Sequence, residues 1–195
     1  MKEPFSLIVT DTSPLITLAY ANSLDTLLQP HIPVRIPDAV YIEATRIRAA
    51  VGAGEIVEWI SGNLDQVMIV PTEIGIDQQR RIEEGRPIRG LGENAAIEAL
   101  DRYFSTSPSS QALLLFEDSD LVKRRAIVDE RVSLLTTGDF LRALEQARLI
   151  QSADHILDLA AERGRNVDRQ RGPEKEGMTT SLLSAQLGRS AGPER

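Results

Sequence analysis

The sequence predicts an α/β fold whose parallel sheet is covered by helices on both faces. Short apolar runs rich in Val, Leu and Ile recur along the chain, as in strands that are buried on both faces. Helical patterns separate these runs, and strands that alternate with helices favour a parallel sheet. No apolar run reaches the roughly 18 residues of a membrane span, so no membrane association is expected.

The predicted elements follow from apolar periodicity and from capping residues. Strands are predicted over 7–10, 34–36, 67–70, 112–116 and 132–135. Ser13 is predicted to cap the first helix, with Pro14 in its first turn, and Asp38 to cap a later one. The helices are expected over 14–21, 24–28, 39–50, 54–60, 77–84, 92–104, 120–130, 139–147 and 152–163.

Composition divides the chain into a folded domain, 1–165, and a flexible polar tail, 166–195, because the tail is rich in charge, Gly, Ser and Pro. Leu182, Leu183 and Leu187 leave open a short helix near 178–187 that docks on a partner or on the domain. The chain has no cysteine, which excludes disulfides and zinc–thiolate sites and fits a cytoplasmic location. Its net charge of −7 argues against general electrostatic attraction to nucleic acid.

Acidic residues follow two of the predicted strands. Asp11 ends the first strand, and Glu117 and Asp118 end the fourth, with Asp120 close behind. Ligands of open parallel sheets bind at the carboxyl ends of the strands, where the strand order reverses. If the first and fourth strands are neighbours across that reversal, their acids converge.

Two helices add acids on their apolar faces. Glu93 begins the helix over 92–104 and shares a face with Ala96 and Leu100, and Glu43 lies on a similar stripe. Carboxylates grouped at the edge of a core repel one another unless a cation such as Mg²⁺ or Mn²⁺ binds them. Taken singly, each acid could equally be a turn residue, a helix cap or a surface partner of an arginine.

Basic residues flank the acids on both sides. Most charge runs are solvated surface, but beside a metal site such residues can hold the phosphates of a nucleic acid. The candidates are Arg89, Lys123, Arg124 and Arg125.

At the level of motifs the chain resembles the PIN domain family of metal-dependent nucleases. The resemblance rests on "IVTDTSPLITLA", "VYIEA", "GENAAIEAL", "ALLLFEDSDLVKRRA" and "LLTTGDFLRALEQARLI", in that order, over about residues 5–150. It implies a three-layer α/β/α sandwich with a mostly parallel sheet of about five strands, and a ribonuclease that uses Mg²⁺ or Mn²⁺. The Asp-Thr-Ser-Pro-Leu motif resembles a branch rich in toxins of toxin–antitoxin pairs, which implies RNA as substrate, an antitoxin as partner and a homodimer.

The resemblance also implies roles for individual residues. Asp11, Glu93 and Asp118 match the metal ligands, and Glu43 matches a further acid that binds the metal or supports it. Ser13 would orient Asp11 by a hydrogen bond, and Thr136 or Thr137 would lie at the rim. Which of Glu117, Asp118 and Asp120 binds the metal is left open, with Asp118 preferred and Asp120 next.

Other classes fit the residues less well. A haloacid-dehalogenase-like phosphatase with Asp11 as nucleophile needs a second aspartate two residues later, where this chain has Ser13. A receiver-type phosphoacceptor lacks its acid pair. A catalytically weak module that binds RNA or a partner remains an alternative.

Overall fold

The computed structural model describes residues 3–86, 90–117, 129–171 and 177–190. Its centre is a sheet of five parallel strands in the order β3-β2-β1-β4-β5. The strands are β1 (Phe5–Thr10), β2 (Val34–Pro37), β3 (Val67–Val70), β4 (Gln111–Phe116) and β5 (Val132–Thr136). The α/β fold and all five predicted strands are therefore confirmed.

Eight α-helices and one 3-10 helix lie within the described residues. The α-helices are α1 (Thr12–Tyr20), α2 (Asp38–Thr45), α3 (Ala53–Gly62), α4 (Glu73–Glu83), α5 (Gly92–Thr106), α6 (Thr137–Gln146), α7 (Ala153–Glu162) and α8 (Gly177–Ser190). The 3-10 helix spans Leu24–Leu27. The helix predicted over 120–130 falls almost wholly outside the described residues.

Several helix ends differ from the prediction. Asp38, predicted as a cap, lies in the first turn of α2, and Pro37 is the N-cap. Three other differences have a physical reason. Asp11, not Ser13, is the N-cap of α1, because β1 leads directly into the helix through one extended residue. Helix α2 ends at Thr45 rather than near 50, and the chain then turns through Gly52, whose φ is +87° and whose backbone lies against Ala19. Helix α4 begins at Glu73 rather than at 77, because the Thr72 hydroxyl accepts a hydrogen bond from the Gly75 N–H at 2.9 Å.

Alternate residues of the central strands face opposite helical layers. On one face, Leu7, Val9 and Leu114 pack with apolar residues of α5 such as Leu100. On the other face, residues such as Ile8 pack with the remaining core, which includes side chains of α1, α3, α6 and α7. This alternation follows from the two-residue period of a strand and gives the three layers of an α/β/α sandwich.

Residues 177–190 pack on the domain, as the helix left open by the leucine spacing would. Helix α8 lies against α6 and β5, with Leu183 and Leu187 buried. The Gln186 side chain accepts a hydrogen bond from the Phe5 N–H at 2.7 Å and donates one to the Phe5 carbonyl at 3.0 Å. The leucine spacing accounts for this packing, since it puts both buried leucines on one helix face. The domain boundary at residue 165 stays a prediction.

The strand order reverses between β1 and β4. From β1 the chain builds outward through β2 and β3, and then returns to the other side of β1 to form β4 and β5. Because Thr10 pairs with Leu115, the residues that follow both strands emerge side by side. Within the described ranges, no helix is long and apolar enough to cross a lipid bilayer.

Candidate functional site

Asp11 lies at this reversal, at the start of α1. Its backbone N–H donates to the Leu115 carbonyl at 2.9 Å, which fixes it beside β4. The pKa of its carboxyl is raised from 3.8 to about 6, mainly by burial and further by the negative charges of Glu43, Glu93 and Glu117, while the Thr12 N–H opposes the change. The charges of acids from three other parts of the chain therefore act on Asp11.

Glu43 joins the starts of two helices. One of its carboxylate oxygens accepts a hydrogen bond from the Thr12 hydroxyl at 2.8 Å, and the other accepts from the Leu91 N–H at 3.0 Å. These bonds connect α2 to the first turn of α1 and to the residue that precedes α5. The arrangement suits a group that holds the site together, and its predicted part in metal binding stays a prediction.

Gly92 brings the backbone of α5 against the site. A Cβ atom at this position would lie 2.7 Å from Asp11 Oδ1, 2.8 Å from the Thr12 hydroxyl and 3.1 Å from Glu43 Oε2. Any side chain would displace at least one of these groups. This role was not predicted, although a glycine directly before the acidic residue that begins a helix is a signal for it.

Glu93 stands in the first turn of α5, where the helix dipole favours a negative charge. Ala96 and Leu100 on the same helix are buried, so the predicted inward stripe is confirmed. Helix α5 thus carries Glu93 toward Asp11, whose pKa its charge raises.

Glu117 follows β4 and is held on both sides. The Thr137 hydroxyl donates to one carboxylate oxygen at 2.6 Å, and Arg165 donates to the other at 3.2 Å. Thr137 therefore lies beside an acid of the site. Arg165 was missed by the sequence analysis, because its position in the chain gives no sign that it returns to β4.

Ser13 contacts the edge of the site through its backbone carbonyl. Its carbonyl accepts a hydrogen bond from Arg165 at 3.2 Å. No hydrogen bond from its hydroxyl to Asp11 is found among the described residues, and its role in orienting Asp11 stays a prediction. The neighbouring Thr12 faces the site instead, through its bond to Glu43.

The donor set has the chemistry that Mg²⁺ and Mn²⁺ prefer, since carboxylate oxygens dominate it. The pKa of Asp11 is raised mainly by burial and further by neighbouring carboxylates, and a cation bound there would favour its ionised form. Among the residues that the structure describes, no three acidic or histidine side chains lie close enough to bind one ion together. Six further candidates lie outside the described residues: Arg89, Asp118, Asp120, Lys123, Arg124 and Arg125.

Comparison with known proteins adds one match. Residues 7–101 match a family model (DUF3368) for a PIN domain. That range contains Asp11, Glu43, Gly92 and Glu93, whereas Arg165 lies beyond it. No curated protein and no solved structure matched the chain. Residues 7–101, just under half of the chain, therefore have the sequence of a PIN domain.

Proposed function

We propose that this protein is a divalent-metal-dependent endoribonuclease that cleaves RNA phosphodiesters. PIN domains are generally nucleases, so the family supports hydrolysis of a nucleic-acid backbone. The observation that carries the proposal is Asp11, partly buried at the strand-order reversal and surrounded by the charges of three other carboxylates. A buried carboxylate next to other carboxylates lowers the stability of the folded protein. Such groups are common at functional sites, where a bound cation would stabilise their charge.

Asp11, Glu93 and Asp118 would hold Mg²⁺ or Mn²⁺, with Asp120 as a further ligand. The chemistry that such an ion supplies is a water of lowered pKa and an electrostatic partner for the charge that develops on the phosphoryl group. Glu43 keeps α1 and α5 in register through Thr12 and the Leu91 N–H.

The remaining residues of the site would bind RNA or hold the acidic side chains in place. Thr137 orients Glu117 through its hydroxyl. Arg89, Lys123, Arg124 and Arg125 would hold RNA phosphates on either side of the cleaved bond, as cationic side chains do without reading sequence. Gly92 keeps side-chain atoms out of the space between Asp11 and Glu43.

We further propose that the enzyme is the toxin of a toxin–antitoxin pair and acts in the cytoplasm, with an antitoxin protein as partner and a homodimer as its assembly. The support is the resemblance of the Asp-Thr-Ser-Pro-Leu motif to that branch of the family. Co-expression with the protein of a neighbouring small gene tests this, because an antitoxin restores growth and co-purifies.

The test of the nuclease is cleavage of a mixed RNA pool by the purified protein with Mn²⁺. Asp11→Asn is expected to abolish cleavage, since it removes the central carboxylate without changing the size of the side chain. Asp65→Asn is the matched control, because Asp65 is exposed and precedes β3, at the opposite edge of the sheet from the site. Undiminished cleavage by purified Asp11→Asn would overturn the proposal.

One observation favours the alternative of a catalytically weak binding module: the absence of three clustered acids among the described residues. A module of this kind would bind RNA equally well with and without EDTA and would leave the RNA intact. Calorimetry separates the two cases, because an enzyme binds Mn²⁺ and loses that binding in Glu93→Gln.

A further inference from the structure

Arg165 connects three parts of the chain at the edge of the site. Its Nε donates to the Thr17 hydroxyl at 2.8 Å, and one terminal nitrogen lies 3.2 Å from both the Ser13 carbonyl and Glu117 Oε2. The first two contacts fix the guanidinium against α1. The third places its charge on the acid that follows β4.

Glu117 depends on this contact because it is shielded from water. Only 10% of its side chain is exposed, against 25% for Arg165. Its other carboxylate oxygen accepts a hydrogen bond from the neutral Thr137 hydroxyl. Among the described residues, Arg165 is the cation that pairs with Glu117, while the nearby carboxylate of Asp11 interacts with Glu117 as a like charge.

We propose that Arg165 is a positioning residue that holds Glu117 in place beside Asp11 and makes the C-terminal segment part of the nuclease site. The inference rests on the proposed function and deepens it. Without Arg165, Glu117 would keep a shielded charge with no cation beside it among the described residues, and its side chain would swing toward solvent. This movement would alter the carboxylate arrangement that a metal ion needs.

The test is a double-mutant cycle between Arg165 and Glu117, with Arg171→Ala as control. Arg165→Met keeps the aliphatic stem and removes the charge, and Arg165→Lys restores the charge without the planar fork. Arg171 lies in the same segment but pairs with Asp158, away from the site. For each variant, calorimetry gives the Kd for Mn²⁺, kinetics give kcat and KM for RNA, and urea unfolding without metal shows that the protein is folded.

We expect Arg165→Met to weaken Mn²⁺ binding and to lower kcat by about 10-fold to 100-fold, as removal of groups that orient metal ligands does. KM for RNA should change by less than about twofold, because the Arg165 guanidinium is hydrogen-bonded within the protein and is not expected to contact RNA. Arg165→Lys should recover part of the loss, and Arg171→Ala should match the wild type. Once Glu117→Gln is present, adding Arg165→Met should cause no further loss, because the two residues act as one unit.

Two results would overturn the inference: effects of the two substitutions that multiply independently, or wild-type Mn²⁺ affinity and kcat in Arg165→Met. If Arg165→Met does not fold, the same cycle built with Arg165→Lys in place of Arg165→Met decides the coupling. A wild-type protein that neither binds Mn²⁺ nor cleaves RNA overturns the proposed nuclease as well. A wild type that cleaves, together with an Arg165→Met that cleaves equally well, overturns only the role of Arg165.

Discussion

Replacing Asp11 by asparagine should make the metal-free protein more stable at neutral and alkaline pH. Burial and three neighbouring acids make the ionised form of Asp11 unfavourable in the folded state. Asparagine has nearly the same shape and carries no charge. No helix-capping bond from the side chain is lost, because Asp11 makes none as the N-cap of α1.

The size of the effect follows from the pKa of Asp11. Its value is about 6 in the folded protein, against 3.8 when unperturbed. At about 1.4 kcal/mol per pKa unit, this difference corresponds to about 3 kcal/mol. Below pH 3.8 the group is protonated in both states and has no effect. Stability is lost as the pH rises from about 4 to about 6, and the full loss remains above that range.

Urea unfolding in EDTA at a series of pH values from 4 to 8 measures the effect. Asp11→Asn should exceed the wild type by up to about 3 kcal/mol at pH 8 and agree with it within about 1 kcal/mol at pH 4. Asp65→Asn, at an exposed position, should stay within about 0.5 kcal/mol of the wild type throughout. With Mn²⁺ the difference in unfolding free energy between Asp11→Asn and the wild type should become smaller or change sign, since the ion stabilises only a protein that binds it.

The reasoning fails if Asp11→Asn is no more stable than the wild type at pH 8 in EDTA. It also fails if its advantage is the same at pH 4 as at pH 8, because a shape effect would not depend on pH. Equal stabilisation of both proteins by Mn²⁺ would remove Asp11 from the metal site.

Three further outcomes are expected. EDTA should abolish RNA cleavage and added Mn²⁺ should restore it; cleavage that continues in EDTA would contradict the metal requirement. Gly92→Ala should abolish cleavage, because its Cβ would lie 2.7 Å from Asp11 Oδ1, whereas Gly54→Ala in open space on α3 should retain activity; equal activity in both would show that the site tolerates the methyl group. Leu183→Ala should lower the free energy of unfolding by about 2–5 kcal/mol, as loss of a buried leucine does, while exposed Ser181→Ala on the same helix should change it little. Urea titration measures both, and an unaffected Leu183→Ala would mean that α8 is not docked in solution.

Much of the fold was predictable because it depends on short-range patterns. The five strands are short apolar runs bounded by polar or turn residues. This pattern is typical of strands that are buried on both faces of a parallel sheet. The place of Asp11 was predictable for a related reason. A residue that ends a strand of a parallel sheet lies at the carboxyl edge, whatever the rest of the chain does.

Helix ends were harder to predict, because several residues compete for each cap. Ser13 is a good capping residue by type, yet the geometry of the strand-to-helix turn gave the position to Asp11. Thr72, which caps α4, precedes a first turn that contains Gly75, and glycine is a poor helix former.

The sequence by itself determined the strands, the alternation with helices and the two acids that begin α1 and α5, because each follows from local periodicity or from a strand end. Only the tertiary structure decided which groups surround those acids. Gly92 matters because its Cα lies against Asp11, and Arg165 matters because the C-terminal segment returns to β4. Contacts between residues far apart in the chain depend on how the layers pack, and no local pattern records them.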